Sequence, residues 1–219
     1  MVVQDRVIGI FAMTSQRRRE FDERHREFLK TLCTQAAISI ADATLHDEVA
    51  RLATMDGLTG VTNHRRFQER LNEEFERQSR HNGTFTLVMV DVDHFKQIND
   101  QFGHPAGDKV LRQVALALSR TVRKIDVVSR YGGEEFAVIL LNIGPRESFQ
   151  LAERIRKAVE TMNPILEGQP QKVTISLGMA AFPDDAKDRQ ALIECADRAL
   201  YTAKHRGRNQ TSQFSMIKT

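Results

Sequence analysis

Cysteine is scarce in this chain, and a surplus of either charge is missing. Among 219 residues there are two cysteines, Cys33 and Cys195, far apart and in helix-like segments. A disulfide framework is thereby excluded, and a reducing compartment fits. Thirty-two basic against 29 acidic residues leave a net charge of +3, too little to imply nucleic acid as a partner. Even the basic run Arg17-Arg18-Arg19 is followed by acids at 20, 22 and 23, the pattern of a solvated surface. No apolar stretch approaches the roughly 20 residues that span a bilayer, and no signal-peptide pattern is present. Membrane contact is therefore not expected of this segment, which reads as cytoplasmic. Histidine and cysteine clusters with zinc spacing are also lacking. What remains is an ordinary globular composition, 41% apolar and 28% charged. The length suits one ample domain, or one domain with an appendage.

The most informative segment is Arg130-Tyr131-Gly132-Gly133-Glu134-Glu135-Phe136, which runs into the apolar residues 137–141. The glycines permit a tight turn between two strand-like segments, with two carboxylates at its exit. Acids beside a buried strand are costly unless a cation or a proton neutralises them. Upstream, the apolar, β-rich residues 85–90 end on Asp91 and Asp93, which strand alternation puts on one face. Carboxylates at the carboxyl end of a strand are typical of a ligand crevice in an open α/β sheet. Oxygen-only ligands suit a hard cation. Asp91 and Glu134 are thus read as the jaws of a Mg²⁺ site, with Mn²⁺ the alternative ion. Asp93 is equally suited to bonding a nearby turn.

The segment from Asp91 through His94, Phe95, Lys96 and Asn99 to Asp100, the segment Phe102-Gly103-His104-Pro105-Ala106-Gly107-Asp108, and the glycine turn together resemble the GGDEF domain of diguanylate cyclases. The similarity extends over roughly residues 56–209. That family condenses two GTP molecules into cyclic di-GMP and two pyrophosphates. The resemblance implies Asp91, the Val92 carbonyl and Glu134 as metal ligands. It also makes Glu134 the acceptor of the attacking hydroxyl's proton and Glu135 a further active-site acid, although Glu135 is nearly as well suited to stabilising the turn. Phosphate contacts are implied for the Phe95 and Lys96 amides at the start of a short helix, and for the side chains of Lys96, Lys204 and Arg208. Read alone, the cationic segment 201–209 simply complements a helix dipole. Guanine recognition falls to Asn99 and Asp108, because a carboxylate accepts the paired N–H groups that adenine lacks. Read alone, Asp108 would be a helix cap; the motif around it favours the base contact. Arg123 and Asp126, with Arg154, are similar to the inhibitory site at which such cyclases bind their own product; a surface ion pair is the alternative, but the matching offset from the glycine turn favours product binding. Glu134 replaces the aspartate of the family's name, a variant compatible with activity. In the junction 56–63, Val61 stands for a usual leucine. His64, just after it, stands where arginine is common, which would weaken a local ion pair.

Residues 1–55 are read as a closing strand (7–13) and signalling helix (18–54) of a truncated GAF-like sensor domain, and residues 56–219 as the GGDEF domain. Leu29, Cys33, Ala36, Ile40 and Ala43 recur by fours and threes, and Ile38, Leu45, Val49 and Leu52 form an offset stripe. Such spacing favours packing on a second helix, the twin from another subunit or the helix's own domain. Helices are expected near 64–80, 94–101, 106–123, 146–161 and 188–205, and strands near 85–93, 126–131, 135–141 and 172–180. The order predicts an α+β fold of split βαβ type, with a mostly antiparallel central sheet preceded by a long helix. One site holds one GTP, yet the product has two equivalent phosphodiester links, so a homodimer with facing sites is expected. A non-catalytic cyclic di-GMP receptor and a dimerising module are the competing readings. Degenerate active-site residues would favour the receptor, and none are seen.

Overall fold

The computed structural model of the protein describes residues 2–3, 6–12 and 22–217. The chain divides into two compact units, Met1–Ala53 and Thr54–Thr219. In the first, β1 (Val2–Val3) pairs antiparallel with β2 (Arg6–Val7), and α1 runs over Glu23–Thr54. The strand expected over 7–13 is displaced: residues 8–12 lie outside any strand. Gly9 interrupts that apolar run, and glycine weakens a strand interior. Residues 13–21, which hold the end of that expected strand and the expected start of the helix, lie outside the described residues, as does the side chain of Leu52. Along α1, Phe28, Leu32, Ile38, Ile40, Leu45 and Val49 are 44–63% exposed.

The second unit is built on β3 (Phe85–Val92), every residue of which is buried. The sheet order is β4 (Val127–Gly132), β5 (Glu135–Leu141), β3, β8 (Ile175–Phe182), β9 (Thr211–Gln213). All neighbours pair antiparallel except β8 and β9. This is the expected α+β arrangement. The parallel edge strand β9 and the small hairpin of β6 (Ile165–Leu166) and β7 (Gln169–Pro170) are additions that sequences of two or three residues do not announce.

Helices cover both faces of the sheet. On one side α4 (His104–Thr121) and α5 (Pro145–Glu160) bring Val110, Val114, Leu118 and Ile155 against Val88 and Val90 of β3. On the other, α2 (His64–His81) and α6 (Arg189–His205) bring Phe67, Leu71, Leu192, Ala196 and Leu200 against Leu87 and Met89. A strand covered on both faces is apolar throughout, which explains why β3 reads as a continuous hydrophobic run. The same alternation turns Asp91 towards α6. That helix lies in backbone contact with the sheet at Gly178, where a Cβ would come within 2.0 Å of the Leu200 amide nitrogen. Only glycine allows so close an approach, and it brings Lys204, one turn beyond Leu200, over the end of β3.

Candidate active site

Strand register sets Asp91 directly opposite Glu135 on one side and Ser176 on the other. Like charges directly opposite across an antiparallel pair repel. Asp91 is only 8% exposed, and the Lys204 ammonium sits 2.7 Å from its Oδ2. Burial nevertheless pushes the Asp91 carboxyl above the usual carboxylate range; Lys204 opposes this, and Glu134 and Asp93 reinforce it. Glu135 is also raised, first by burial and then by Asp91, with Lys204 again opposing. One ammonium thus serves a crowded set of acids. The turn itself is tied to β3 by the Val92 amide, which donates to the Glu134 carbonyl at 3.3 Å. Gly133 alone turns left-handed (φ +44°), while Gly132 still belongs to β4.

Among the described residues, no group of three or more histidine, cysteine, aspartate or glutamate side chains forms a ready-made metal cage. The donor set at this end of β3 is all oxygen, and the lysine on Asp91 demonstrates that a cation is accommodated there. Few protein oxygens completed by phosphate and water is the coordination Mg²⁺ commonly takes. The residues present fit such an ion.

Asp93 behaves differently from its neighbour. Its Oδ1 accepts from Ser176 Oγ at 2.6 Å, and its Oδ2 from Thr174 Oγ1 at 2.7 Å and the Asn209 amide at 3.0 Å. It is the turn-holding acid of the two. Asn209 is further fixed by Arg156 and Glu160 of α5, each at 2.8 Å. Residues 207, 208 and 209 have φ of +110°, +61° and +45°. Left-handed backbone costs a non-glycine residue about 1–2 kcal/mol, and these bonds hold it in place. Arg208 thereby lines a cleft facing the start of α3 (Phe95–Phe102). Arg156, Glu160, Thr174 and Asn209 are positioning residues that sequence reasoning missed. The one signal available was an asparagine after Gly207-Arg208, since asparagine tolerates left-handed backbone.

At the head of α3, His94 (φ +57°) provides no side-chain cap, so the leading amides, those of Phe95 and Lys96, are not met by one. Phe95 is buried and Lys96 exposed. One turn on, Asn99 Oδ1 is buried without a hydrogen-bond partner among the described residues. It lies over Gly107, where a Cβ would come within 1.9 Å of it. A buried polar atom left unpaired costs about 1–3 kcal/mol, so a polar ligand has something to gain there. Asp108 sits in the second turn of α4; Gly103 occupies the cap position, so the capping role does not apply.

The junction is stitched to the glycine turn. Arg130 Nη1 lies 3.3 Å from both oxygens of Asp56, while its Nε and Nη2 donate to the Gly133 carbonyl at 3.0 and 2.8 Å. Burial works against the Asp56 charge, but the Thr59 hydroxyl and amide and the Arg130 guanidinium hold its carboxyl below the ordinary value. Thr62 adds a rung to β4 through the Val128 carbonyl and the Arg130 amide, at 3.1 and 2.8 Å, and its hydroxyl meets that of Ser129. His64 packs edge-on against Tyr131 at 4.8 Å, and the Asp56–Arg130 ion pair stands intact beside it.

At the open end of the β4–β5 hairpin, Asp126 is saturated. Its Oδ2 accepts from the Arg123 amide and Nε at 2.9 and 3.2 Å, and its Oδ1 from Arg123 Nη2 and the Leu141 amide, both at 3.1 Å. Its side chain is wholly buried, that of Arg123 43% exposed. Arg154 donates to the Thr121 carbonyl at 2.7 Å. Arg123, Asp126 and Arg154 therefore gather around the end of α4.

Residues 53–210 match the family described as "Diguanylate cyclase, GGDEF domain", and residues 1–41 match part of a GAF domain. Diguanylate cyclase DgcP of Pseudomonas aeruginosa is 37% identical over 218 residues, which is 96% of this chain and 32% of the relative. Diguanylate cyclase A of Treponema denticola is 33% identical over 214 residues, 95% of this chain and 57% of the relative. The chain thus spans between about a third and somewhat over half the length of these curated relatives. Among solved structures, the coiled coil and GGDEF domain of DgcB from Caulobacter crescentus, in complex with c-di-GMP, aligns with a TM-score of 0.74 at 30% identity. That alignment covers 84% of this chain and 98% of the other. With the acids at the end of β3 and the glycine turn beside them, the chain belongs to the GGDEF-domain family of diguanylate cyclases.

Proposed function

We propose that this chain is a diguanylate cyclase, joining two GTP molecules into cyclic di-GMP with release of two pyrophosphates. The observation that carries the reading is the Lys204 ammonium on Asp91, with Glu134 and Glu135 crowded beside it. Carboxylates assembled against their own repulsion are suited to cationic charge. A Mg²⁺ ion held by Asp91, the Val92 carbonyl and Glu134, with Mn²⁺ a workable substitute, would neutralise developing charge on the α-phosphate. Lys204 then leaves Asp91 and, with Lys96, Arg208 and the Phe95 and Lys96 amides, binds the triphosphate. Glu134 takes the proton of the attacking ribose 3′-hydroxyl, and Glu135 serves as the second acid of the site. Asn99, with its unpaired oxygen, and Asp108 read the guanine edge.

Two such sites must face each other to close the product ring, so the active species is a homodimer. The exposed apolar residues of α1, within residues 1–55 read as the end of a GAF-like sensor, are suited to pairing with a second copy. Residues 56–219 then constitute the catalytic domain, working in the cytoplasm where GTP is supplied. Cyclic di-GMP inhibits at Arg123 and Arg154, whose guanidinium groups suit guanine's O6/N7 edge, with Asp126 orienting Arg123. Incubation with GTP and Mg²⁺ across protein concentrations, followed by nucleotide chromatography, tests the proposal. Cyclic di-GMP should form with a specific activity that rises with concentration. Binding of cyclic di-GMP without turnover at any concentration would instead make the chain a receptor.

A further inference from the structure

A cleft of about 420 Å³ opens between α3, the segment 171–174 and the loop 207–209. Its walls carry Gln97, Gln171, Lys172 and Arg208, with Ile98 and Phe102 as apolar floor. Asp93 also borders it, but the oxygens of that carboxylate are taken by Ser176, Thr174 and Asn209. The positive charges are less engaged. Lys172 Nζ reaches only to 4.0 Å from Glu160, a carboxylate that already binds Arg156 and Asn209, and Arg208 is exposed. The cleft is therefore cationic and rich in side-chain amides. It begins at His94, beside the uncapped start of α3, and Lys172 and the glutamines lie outside the acid cluster of Asp91, Glu134 and Glu135.

We propose that this cleft is an exit subsite for inorganic pyrophosphate, with Lys172 as its outer cation; the inference rests on the cyclase reading. When the 3′-oxygen bonds to the α-phosphorus, the bond from that phosphorus to the β-bridging oxygen breaks. The electron pair departs with pyrophosphate, and the hydroxyl proton passes to Glu134. The leaving group is then a polyanion next to three carboxylates and needs a route away from them. Arg208 holds one end as a fork, while Lys172 and the amides of Gln97 and Gln171 draw it outward. Diphosphate thus passes from the inner cations to the outer one without crossing the acids.

The test is pyrophosphate inhibition of the full chain, measured on initial rates with Mg²⁺ in fixed excess. Lys172→Ala should raise the inhibition constant about fivefold, the effect of one solvent-exposed ion contact. The KM for GTP should stay within about twofold on the same scale, and Lys172→Arg should restore the wild-type constant. An unchanged inhibition constant would overturn the proposal. So would a KM rising in step with it, because Lys172 would then be holding substrate. If the wild-type chain makes no cyclic di-GMP, the cyclase reading fails by itself. Calorimetric titration of Mg²⁺-pyrophosphate into wild type and Lys172→Ala then decides the subsite: weaker binding to the variant supports it, equal binding rejects it.

Discussion

The two ends of the β4–β5 hairpin treat carboxylates in opposite ways. At the open end, Asp126 receives four hydrogen bonds, three from Arg123 and one from the Leu141 amide. At the closed end, Asp91, Glu134 and Glu135 crowd together with a single lysine against Asp91. Both sites hold a buried acid, so burial alone does not mark the one proposed to bind the ion. The distinction is whether the protein itself completes the carboxylate's shell. A completed shell makes a clamp that fixes a loop; an incomplete one stays competent for an ion and a substrate. Asp91, near the end of β3, and Asp93, in the turn just beyond it, repeat the contrast two residues apart.

The largest expected effect is at the closed end. Glu134→Gln should lower cyclic di-GMP formation by at least about 100-fold while urea unfolding remains close to wild type; near-normal turnover would remove Glu134 from the chemistry. Asp108→Ala comes next. Loss of a paired contact to guanine is worth about 1–3 kcal/mol, so the GTP-over-ATP ratio of kcat/KM should drop at least about fivefold. An unaltered ratio would leave base recognition to other residues. At the open end, Asp126→Ala strands the buried Leu141 amide and should cost about 2 kcal/mol in urea unfolding. Arg123→Ala should relieve inhibition by cyclic di-GMP. If Asp126→Ala lost product inhibition with no change in stability, the clamp would be reassigned as a ligand.

The smallest effect concerns pH. The Glu135 carboxyl is raised above its ordinary value, so its charged form opposes folding. Its contribution is favourable below the ordinary glutamate range and is lost as pH climbs through the raised value. With divalent ions chelated, Glu135→Gln should melt a few degrees above wild type at neutral pH, and the gap should close in acid. Asp56→Asn should behave with the opposite sign, because the Asp56 carboxyl is held low. It should melt below wild type at neutral pH, with the difference vanishing as pH falls through the depressed value. Parallel melting curves at every pH would contradict both assignments.

The sheet was legible because β3 and β5 are largely apolar runs, β3 with an acid next to its end and β5 opening on one, and covered strands need that composition. The site acids were legible for the same reason, since a carboxylate beside such a run has to be explained. The frame that aims Arg208 was not. Asp93, Thr174, Asn209, Arg156 and Glu160 come from four separated stretches of chain, and only folding brings their hydrogen bonds together. β9 was hidden because three polar residues carry no period, and the hairpin of β1 and β2 because each strand has only two residues. The cap role of Asp108 was not decided by sequence, because α4 begins at its Gly103 cap, more than a turn ahead of it.

Binding of Mn²⁺, followed by electron paramagnetic resonance with a non-hydrolysable GTP analogue present, tests the central claim most directly. Wild type should take up the ion in the nucleotide complex, while Asp91→Asn and Glu134→Gln, still folded, should lose it. Equal Mn²⁺ binding by all three proteins would contradict the assignment of these acids as the site that gathers charge for the reaction.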